Sequence, residues 1–230
     1  MGMFDKYLND FGFIGSEKLS THTLDNIEYQ YNSLGHRERE PEDIVKEDYI
    51  LFVGCSITEG VSVHADNRFP SIFEKESGIK TYNMGMGGTG YDVVNNNIST
   101  WFRVYRNTPP KSVIIMYSDY NRVVTRLDQN RNRLDSVGHW RKFEPIRNFF
   151  LAADSINFMK TNADVHHNSV IGLLEYSNTH HIFLTSSKPN SDRHIQVVEQ
   201  SEYRKGVDNI HPGQEWHEAV ALQLLTIYNL

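Results

Sequence analysis

The sequence has few cysteines and no long apolar runs. Cys55 is the single cysteine in 230 residues, which excludes an internal disulfide and any cysteine-rich zinc site. No unbroken run of apolar or aromatic residues exceeds five, as in Tyr49–Val53, Val113–Tyr117 and Phe149–Ala153. A helix that spans a bilayer needs about 20 such residues. We therefore expect no membrane partner.

Basic residues are outnumbered by acidic ones, because the sequence has 23 Lys and Arg but 29 Asp and Glu, which gives a net charge of −6. An acidic chain is a poor general binder of nucleic acid, and we expect no such partner.

Residues 1–10 lack the apolar core of a secretory signal, so we expect a cytoplasmic protein. The apolar fraction of 39% is enough for a sizeable core and excludes intrinsic disorder.

Apolar runs rich in β-branched and aromatic residues alternate with helix-like segments along most of the chain. The pattern predicts strands at Tyr49–Val53, Ile79–Met84, Ser112–Tyr117 and His181–Thr185, and helices at Arg68–Ser77, Tyr91–Arg106, Pro145–Lys160, Asn168–Tyr176 and Gln214–Tyr228. Strands that are apolar on both faces and separated by helices indicate a mostly parallel sheet covered on both sides. We predict a three-layer α/β/α sandwich at 46–230, with an N-terminal extension at 1–45 that packs on it.

Ser56 follows the first predicted strand and lies between Gly54 and Gly60. A nucleophilic hydroxyl needs such a turn, with small neighbours and backbone N–H groups that can bind an oxyanion. The non-catalytic alternative is that Ser56 caps the next helix. Cys55 is the rival nucleophile, and we interpret it as a buried and inert thiol.

Asp208 and His211 supply what a nucleophilic serine lacks. An imidazole must accept the hydroxyl proton, and a carboxylate must fix the orientation of that imidazole. These two residues lie three positions apart, directly before Pro212 and the last predicted helix. Alternatively, Asp208 forms a turn and His211 caps the helix. The combination with Ser56 favours a catalytic triad.

Four stretches resemble sequence blocks of the SGNH/GDSL hydrolase family. The segment 54–60 (Gly-Cys-Ser-Ile-Thr-Glu-Gly) is similar to the nucleophile block, and 207–212 (Val-Asp-Asn-Ile-His-Pro) is similar to the closing block. Residues 83–88 resemble the second block, and 31–40 resemble a stretch that precedes the first block in some members. The matches at 54–60 and 207–212 are specific to the family, whereas those at 83–88 and 31–40 are loose.

The resemblance implies a flavodoxin-like fold and a serine esterase that cleaves a carboxylic ester through an acyl-enzyme on Ser56. It assigns His211 as the base and Asp208 as the residue that orients it. The backbone N–H groups of Ser56 and Gly88 would bind the oxyanion. No cofactor and no metal are implied. The expected substrate is a small-molecule or glycan ester, with a carbohydrate O-acetyl ester as one example, and the oligomeric state stays open.

The third block departs from the family pattern, which presents an asparagine after the third strand as an oxyanion donor. Alignment of the strand places Asp119 there, with Asn121 two residues later. An ionised carboxylate would repel an oxyanion, so we assign the donor to Asn121. Asp119 and Arg122 are then candidate substrate contacts. The altered block also supports an alternative, a catalytically inactive binding or structural module.

Two further patterns allow other interpretations. Gly85–Gly90 matches the G-x-G-x-x-G pattern of dinucleotide-binding proteins, although it follows the second strand rather than the first. The pairs His166–His167 and His180–His181 lack the spacing of a metal-binding motif. We interpret them as solvated loop histidines.

Overall fold

A computed structural model describes residues 6–8, 12–16, 21–24, 26–126, 133–138, 148, 152–185, 194–197 and 199–230. In chain order the strands are β1 (Lys6–Leu8), β2 (Ile14–Ser16), β3 (His22–Leu24), β4 (Ile27–Tyr29), β5 (Tyr49–Gly54), β6 (Lys80–Asn83), β7 (Ser112–Met116), β8 (Arg122–Arg126), β9 (Arg133–Gly138), β10 (His180–Thr185) and β11 (His194–Gln196). The helices are α1 (Ser56–Glu59), α2 (Phe69–Ser77), α3 (Tyr91–Val104), α4 (Ala153–Tyr176) and α5 (Gln214–Tyr228).

The central sheet has the strand order β11-β10-β7-β5-β6, and every neighbouring pair is parallel. Four of these strands are the four predicted from sequence. The fifth, β11, was not predicted, because its residues His-Ile-Gln form no apolar run. A separate antiparallel sheet has the order β2-β1-β9-β8, and β3 pairs with β4.

Helices cover both faces of the central sheet. Successive residues of a strand point to opposite sides, so β5 contributes to two cores. Leu51 packs in one cluster with Trp101 of α3 and Leu174 of α4. Phe52 packs in the other with residues of α2 and α5, including Trp216. The predicted three-layer α/β/α sandwich is confirmed.

One continuous helix, α4, replaces two predicted helices. The prediction of separate helices at Pro145–Lys160 and Asn168–Tyr176 is wrong, because 161–167 continue the helix between them. Met159, Ala163 and Val170 are buried and share one helical face at spacings of four and seven residues. Residues 145–147 and 149–151 lie outside the described part of the chain.

Both histidine pairs lie on regular elements, so their interpretation as loop residues is wrong. The His166 ring is 3.0 Å from the Asn95 side-chain nitrogen, and His167 lies edge-on to Phe183. Both residues therefore connect α4 to its neighbours in the fold. The other pair begins β10, where His180 shares a hydrogen bond of 2.8 Å with Ser112.

The described part of residues 1–45 contacts the α/β unit closely. Phe13 and Leu34 belong to the same buried cluster as Trp101. The backbone of Ile14 exchanges two hydrogen bonds with the Asn97 side chain, at 2.9 and 2.8 Å. The division of the chain at residue 46 stays a prediction. Among the helices described, none combines the length and apolar character needed to cross a membrane.

Because two histidines are buried, we expect the free energy of unfolding to fall in acid. Burial lowers the pKa of His36 to about 3. Burial, and next the positive charge of Arg68, lowers the pKa of His217 to about 3. In an unfolded chain a histidine titrates near pH 6.5. As the pH falls from about 6.5, the unfolded chain binds more protons than the native one, so each histidine lowers the free energy of unfolding by about 1.4 kcal/mol per pH unit.

This prediction is checked by urea unfolding at several values between pH 7.5 and pH 4.5. The free energy of unfolding should fall steadily below about pH 6.5. In His36→Gln one of the two histidines is gone, so the histidine contribution to that slope should be halved. Equal stability of the native protein at both ends of the range would contradict the prediction.

Candidate active site

The turn after β5 places Ser56 at the carboxyl edge of the sheet. β5 ends at Gly54, and α1 begins at Ser56. A Cβ on Gly54 would lie 2.2 Å from the Thr58 hydroxyl oxygen and 2.6 Å from the Met116 carbonyl oxygen. Because no side chain fits there, glycine lets the strand turn sharply against β7. Ser56 is 7% exposed.

A short loop before α5 carries Asp208 and His211. The loop is closed by a hydrogen bond of 2.8 Å from the Gly206 N–H to the His211 carbonyl. Within it, an Asp208 carboxylate oxygen accepts the backbone N–H groups of Ile210 and His211 at 2.9 and 3.0 Å. Asp208 therefore does form a turn, as the non-catalytic interpretation of this residue predicts.

The structure also brings Ser56, His211 and Asp208 into one hydrogen-bonded chain. His211 Nδ1 lies 2.6 Å from the Asp208 carboxylate, and His211 Nε2 lies 2.9 Å from Ser56 Oγ. A carboxylate accepts only, so Nδ1 carries the proton that faces Asp208. A neutral ring then presents a lone pair on Nε2 to the Ser56 hydroxyl, which is the arrangement that general-base catalysis needs.

Asp208 is held in its ionised form. Burial acts to raise its pKa, but hydrogen bonds from Ser62, His211 and the loop backbone outweigh burial and hold the pKa well below its usual range. A carboxylate that stays ionised keeps the Nδ1 proton of His211 directed at it. The electrostatics of this pair therefore match its geometry.

Cys55 is buried, as the sequence interpretation supposed. It occupies the cap position before α1, one residue before the serine that His211 contacts. The Ser56 hydroxyl, rather than the thiol, donates a hydrogen bond to Nε2 of the His211 ring. The geometry favours Ser56 as the nucleophile of this turn.

A cavity of about 500 Å³ opens at Ser56 and His211. Its lining combines tyrosines, aliphatic side chains and polar groups: Tyr91, Tyr117, Tyr120, Ile57, Leu184, Ile210, Ser118, Asp119 and Arg122. The Tyr91 and Tyr117 rings stack at 4.0 Å. The cavity therefore offers a mixed aromatic and polar surface next to the serine.

The predicted substrate contacts line this cavity, but two predicted oxyanion donors do not. Asp119 is 65% exposed at its side chain and lies 3.8 Å from the Arg122 guanidinium. Asn121 lies between two lining residues, Tyr120 and Arg122. Of the described residues, neither Asn121 nor Gly88 is part of the cavity wall. Gly88 lies in the loop after β6 with a φ of +70°.

The glycine loop after β6 packs against protein rather than open space. A Cβ on Gly85 would lie 2.3 Å from the Glu59 nitrogen, and one on Gly90 would lie 2.2 Å from the Arg122 carbonyl oxygen. The close approach of the chain to itself thus accounts for these two glycines. The pattern Gly85–Gly90 no longer needs a dinucleotide as its explanation.

Glu59 connects the nucleophile turn to that loop, and sequence reasoning missed it. The side chain is 1% exposed. It accepts the Gly87 N–H at 2.5 Å and the Tyr31 hydroxyl at 2.7 Å. Glu59 lies inside the nucleophile block, but its partners are distant in sequence, so no local pattern could reveal this role.

Loss of the Glu59 carboxylate should destabilise the fold. Glu59→Ala removes the acceptor of the Gly87 N–H and of the Tyr31 hydroxyl, and we expect it to lower the free energy of unfolding by about 2–4 kcal/mol. Glu59→Gln keeps an acceptor oxygen and should lose less than about half of that. Urea unfolding of the two variants measures the difference. Equal losses would show that the hydrogen bond to Gly87 has no part in the effect.

A second, larger groove of about 730 Å³ lies elsewhere and contains none of the triad residues. Several of its charged side chains are engaged with each other and with the backbone. For example, Arg39 pairs with Glu74 at 2.7 Å, and Arg68 pairs with Glu38 at 3.5 Å. Over the described residues, no three His, Cys, Asp or Glu side chains are grouped in a way that could hold a metal ion.

Comparison with known proteins supports the fold. The chain is similar to an acetyl xylan esterase from the rumen bacterium Butyrivibrio proteoclasticus, with 12% identity and a TM-score of 0.53. The match covers 80% of this chain and 64% of that one. This chain shares its α/β fold with that esterase. The predicted α/β fold is thereby confirmed.

Other structural neighbours are also esterases or lipolytic proteins. A psychrotrophic esterase from Pseudoalteromonas sp. matches at 11% identity and a TM-score of 0.49, over 80% of this chain and 97% of that one. A member of the lipolytic protein G-D-S-L family from Veillonella parvula DSM 2008 matches at 14% identity and a TM-score of 0.42, over 80% of this chain and 99% of that one. Residues 15–107 match the model of a family described as a domain of unknown function (DUF6473). No curated protein matches the sequence.

Proposed function

We propose that the protein is a serine hydrolase that cleaves carboxylic esters. The observation that carries this proposal is the hydrogen-bonded chain from Ser56 through His211 to Asp208, with distances of 2.9 and 2.6 Å. Ser56 and His211 line a cavity that is large enough for a small ester. The esterase fold of the neighbouring structures agrees with this reaction class.

In the proposed reaction, Ser56 Oγ attacks the ester carbonyl carbon while His211 Nε2 accepts the hydroxyl proton. Asp208 orients the ring and stabilises the imidazolium that forms. The tetrahedral intermediate collapses as His211 returns the proton to the departing alkoxide, which leaves as the alcohol. Water then attacks the acyl-enzyme by the same route in reverse and releases the acid.

The oxyanion requires donors near Ser56. We propose the backbone N–H groups of Ser56 and Gly88, with the Asn121 side chain as the third donor. Asn121 is flanked in the chain by Tyr120 and Arg122, which both line the cavity. The exposed Asp119 carboxylate next to Arg122 is suited to accept hydrogen bonds from substrate hydroxyls rather than to stabilise negative charge.

A carbohydrate O-acetyl ester is our preferred substrate. The tyrosines of the cavity offer aromatic surface against which a sugar ring can pack. Asp119 and Arg122 offer an acceptor and donors for its hydroxyl groups. The neighbour from Butyrivibrio proteoclasticus, an acetyl xylan esterase, is consistent with this choice.

The proposal is tested with a panel of p-nitrophenyl acetate, p-nitrophenyl octanoate and acetylated xylo-oligosaccharides. We expect release of p-nitrophenol from the acetate and of acetic acid from the oligosaccharides, with the octanoate a poorer substrate. A preference for the octanoate would support the esterase function but would reject a carbohydrate O-acetyl ester as the substrate.

One observation favours a second candidate, an inactive module that binds such glycans. Asp119, at the aligned position of an oxyanion donor, lines the cavity with its carboxylate. Calorimetric binding of acetylated xylo-oligosaccharides without hydrolysis of any ester would favour this candidate over the esterase.

A further inference from the structure

Ser62 is a buried residue in a backbone conformation that favours glycine. Its φ is +74°, and it is 3% exposed. In this left-handed region a residue with a Cβ is strained by about 1–2 kcal/mol, whereas glycine is not. Non-glycine residues held in such conformations cluster at functional sites. The serine side chain must therefore contribute something that glycine lacks.

The Ser62 hydroxyl contacts Asp208. Ser62 Oγ accepts the Asp208 backbone N–H at 3.3 Å. After burial, which acts in the opposite direction, the hydrogen bond between the Ser62 side chain and the Asp208 carboxyl group has the largest effect on the pKa of that group, which it lowers. The two loops also touch directly, because a Cβ on Gly206 would lie 2.4 Å from the Ser62 Cβ.

Ser62 belongs to the same turn as the nucleophile. The backbone N–H groups of Gly60 and Val61 donate to the Ser56 carbonyl at 3.1 and 3.0 Å. The turn thus runs from Ser56 to Ser62 as one hydrogen-bonded unit. A contact from Ser62 to Asp208 sets the position of the Asp208–His211 loop relative to Ser56.

Tyr29 and Arg37 hold this turn in place. The Ser62 N–H donates to the Tyr29 hydroxyl at 3.0 Å. The buried Arg37 guanidinium donates to the carbonyls of Gly60 and Val63 at 2.6 and 3.1 Å. It also lies over the Tyr29 ring at 4.0 Å. These contacts hold Ser62 in place, so its hydrogen bond can fix the position of Asp208.

We propose that Ser62 is a positioning residue that holds the Asp208–His211 pair in register with Ser56. The inference rests on the proposed hydrolase function and deepens it. Ser62 is not one of the described residues that line the cavity at Ser56, so we expect it to act through Asp208, which it contacts. The orientation of the base matters when the proton moves, so kcat should depend on Ser62 more than KM does.

The test compares Ser62→Gly with Ser62→Ala. Both lack the hydroxyl, and both should lower kcat for p-nitrophenyl acetate about tenfold, with KM changed less than about twofold. Glycine relieves the backbone strain, so Ser62→Gly should have an equal or higher Tm than wild type, whereas Ser62→Ala should not. A residue that only supports the fold would not give a variant that is more stable and less active.

Asn178→Gly is the matched control. Asn178 also has a positive φ, of +51°, and lies between α4 and β10, away from the triad. Its replacement by glycine relieves the same kind of strain without touching Asp208. We expect kcat to stay at the wild-type value. An unchanged kcat in Ser62→Gly and Ser62→Ala, with an active wild type, would overturn the inference.

A second measurement does not require activity. Long-range ¹H–¹⁵N spectra of the imidazole rings at pH 8, assigned with His211→Ala, report which nitrogen of His211 carries the proton. We expect the Nδ1–H form in wild type and a mixture of the two forms in Ser62→Gly. If wild type cleaves no ester, the proposed function fails, and this spectrum alone decides the inference. Identical His211 signals in both proteins would then reject it.

Discussion

Replacement of Ser56 by alanine is expected to lower kcat for p-nitrophenyl acetate by about 10⁴–10⁶-fold, because it removes the hydroxyl that is hydrogen-bonded to the His211 ring and would form the acyl-enzyme. The residual rate would come from binding and from the oxyanion donors. Since Ser56 is a small residue at the start of α1, the variant should keep its fold. Initial rates and circular dichroism spectra of the purified variant measure both effects.

Cys55→Ser is the matched control for this result. The thiol is buried next to the nucleophile, and the His211 ring contacts Ser56 instead. We expect the control to retain kcat within about threefold. If activity were lost in Cys55→Ser and kept in Ser56→Ala, the thiol would be the nucleophile.

The second large effect is expected at Asn121, which we propose as the third donor to the oxyanion. Asn121→Ala is expected to lower kcat by about 10²–10³-fold with little change in KM, because a donor to the oxyanion acts mainly in the transition state. Steady-state kinetics with a soluble acetate ester separate kcat from KM. Asp119→Asn is the partner variant and should not raise kcat.

The opposite pair of results would assign the donor position to residue 119. Asp119 lines the cavity, so an asparagine there would gain an amide N–H that the carboxylate lacks. In that case Asp119→Asn raises kcat, and Asn121→Ala changes little. The two variants therefore have opposite expected signs under the two alignments.

Much of the fold could be predicted from sequence because the central strands are buried on both faces. The apolar runs at Tyr49–Val53 and Ser112–Tyr117 leave no polar face for solvent, so only a covered sheet accommodates them. The short strand β11 carries no such signal. The continuity of α4 was missed because its middle, 161–167, is mostly polar, and burial of Ala163 depends on packing that the local sequence does not express.

The three residues that the structure joins by hydrogen bonds could be predicted as a group because each lies in a short motif next to a regular element. Asp208 and His211 lie three residues apart, and Ser56 lies two residues beyond the end of β5. The supporting contacts had no such signal. Glu59 meets Tyr31 and Gly87, which are 28 residues away in opposite directions along the chain, so only the folded structure pairs them.

Covalent labelling of the wild-type protein with a fluorophosphonate tests the central claim most directly. The reagent phosphonylates an activated serine hydroxyl, and peptide mass spectrometry locates the adduct. We expect one adduct, on Ser56, that is absent from Ser56→Ala and that forms much more slowly in His211→Ala because the base is missing. An adduct on another residue, or no adduct on a folded and monodisperse protein, would contradict it.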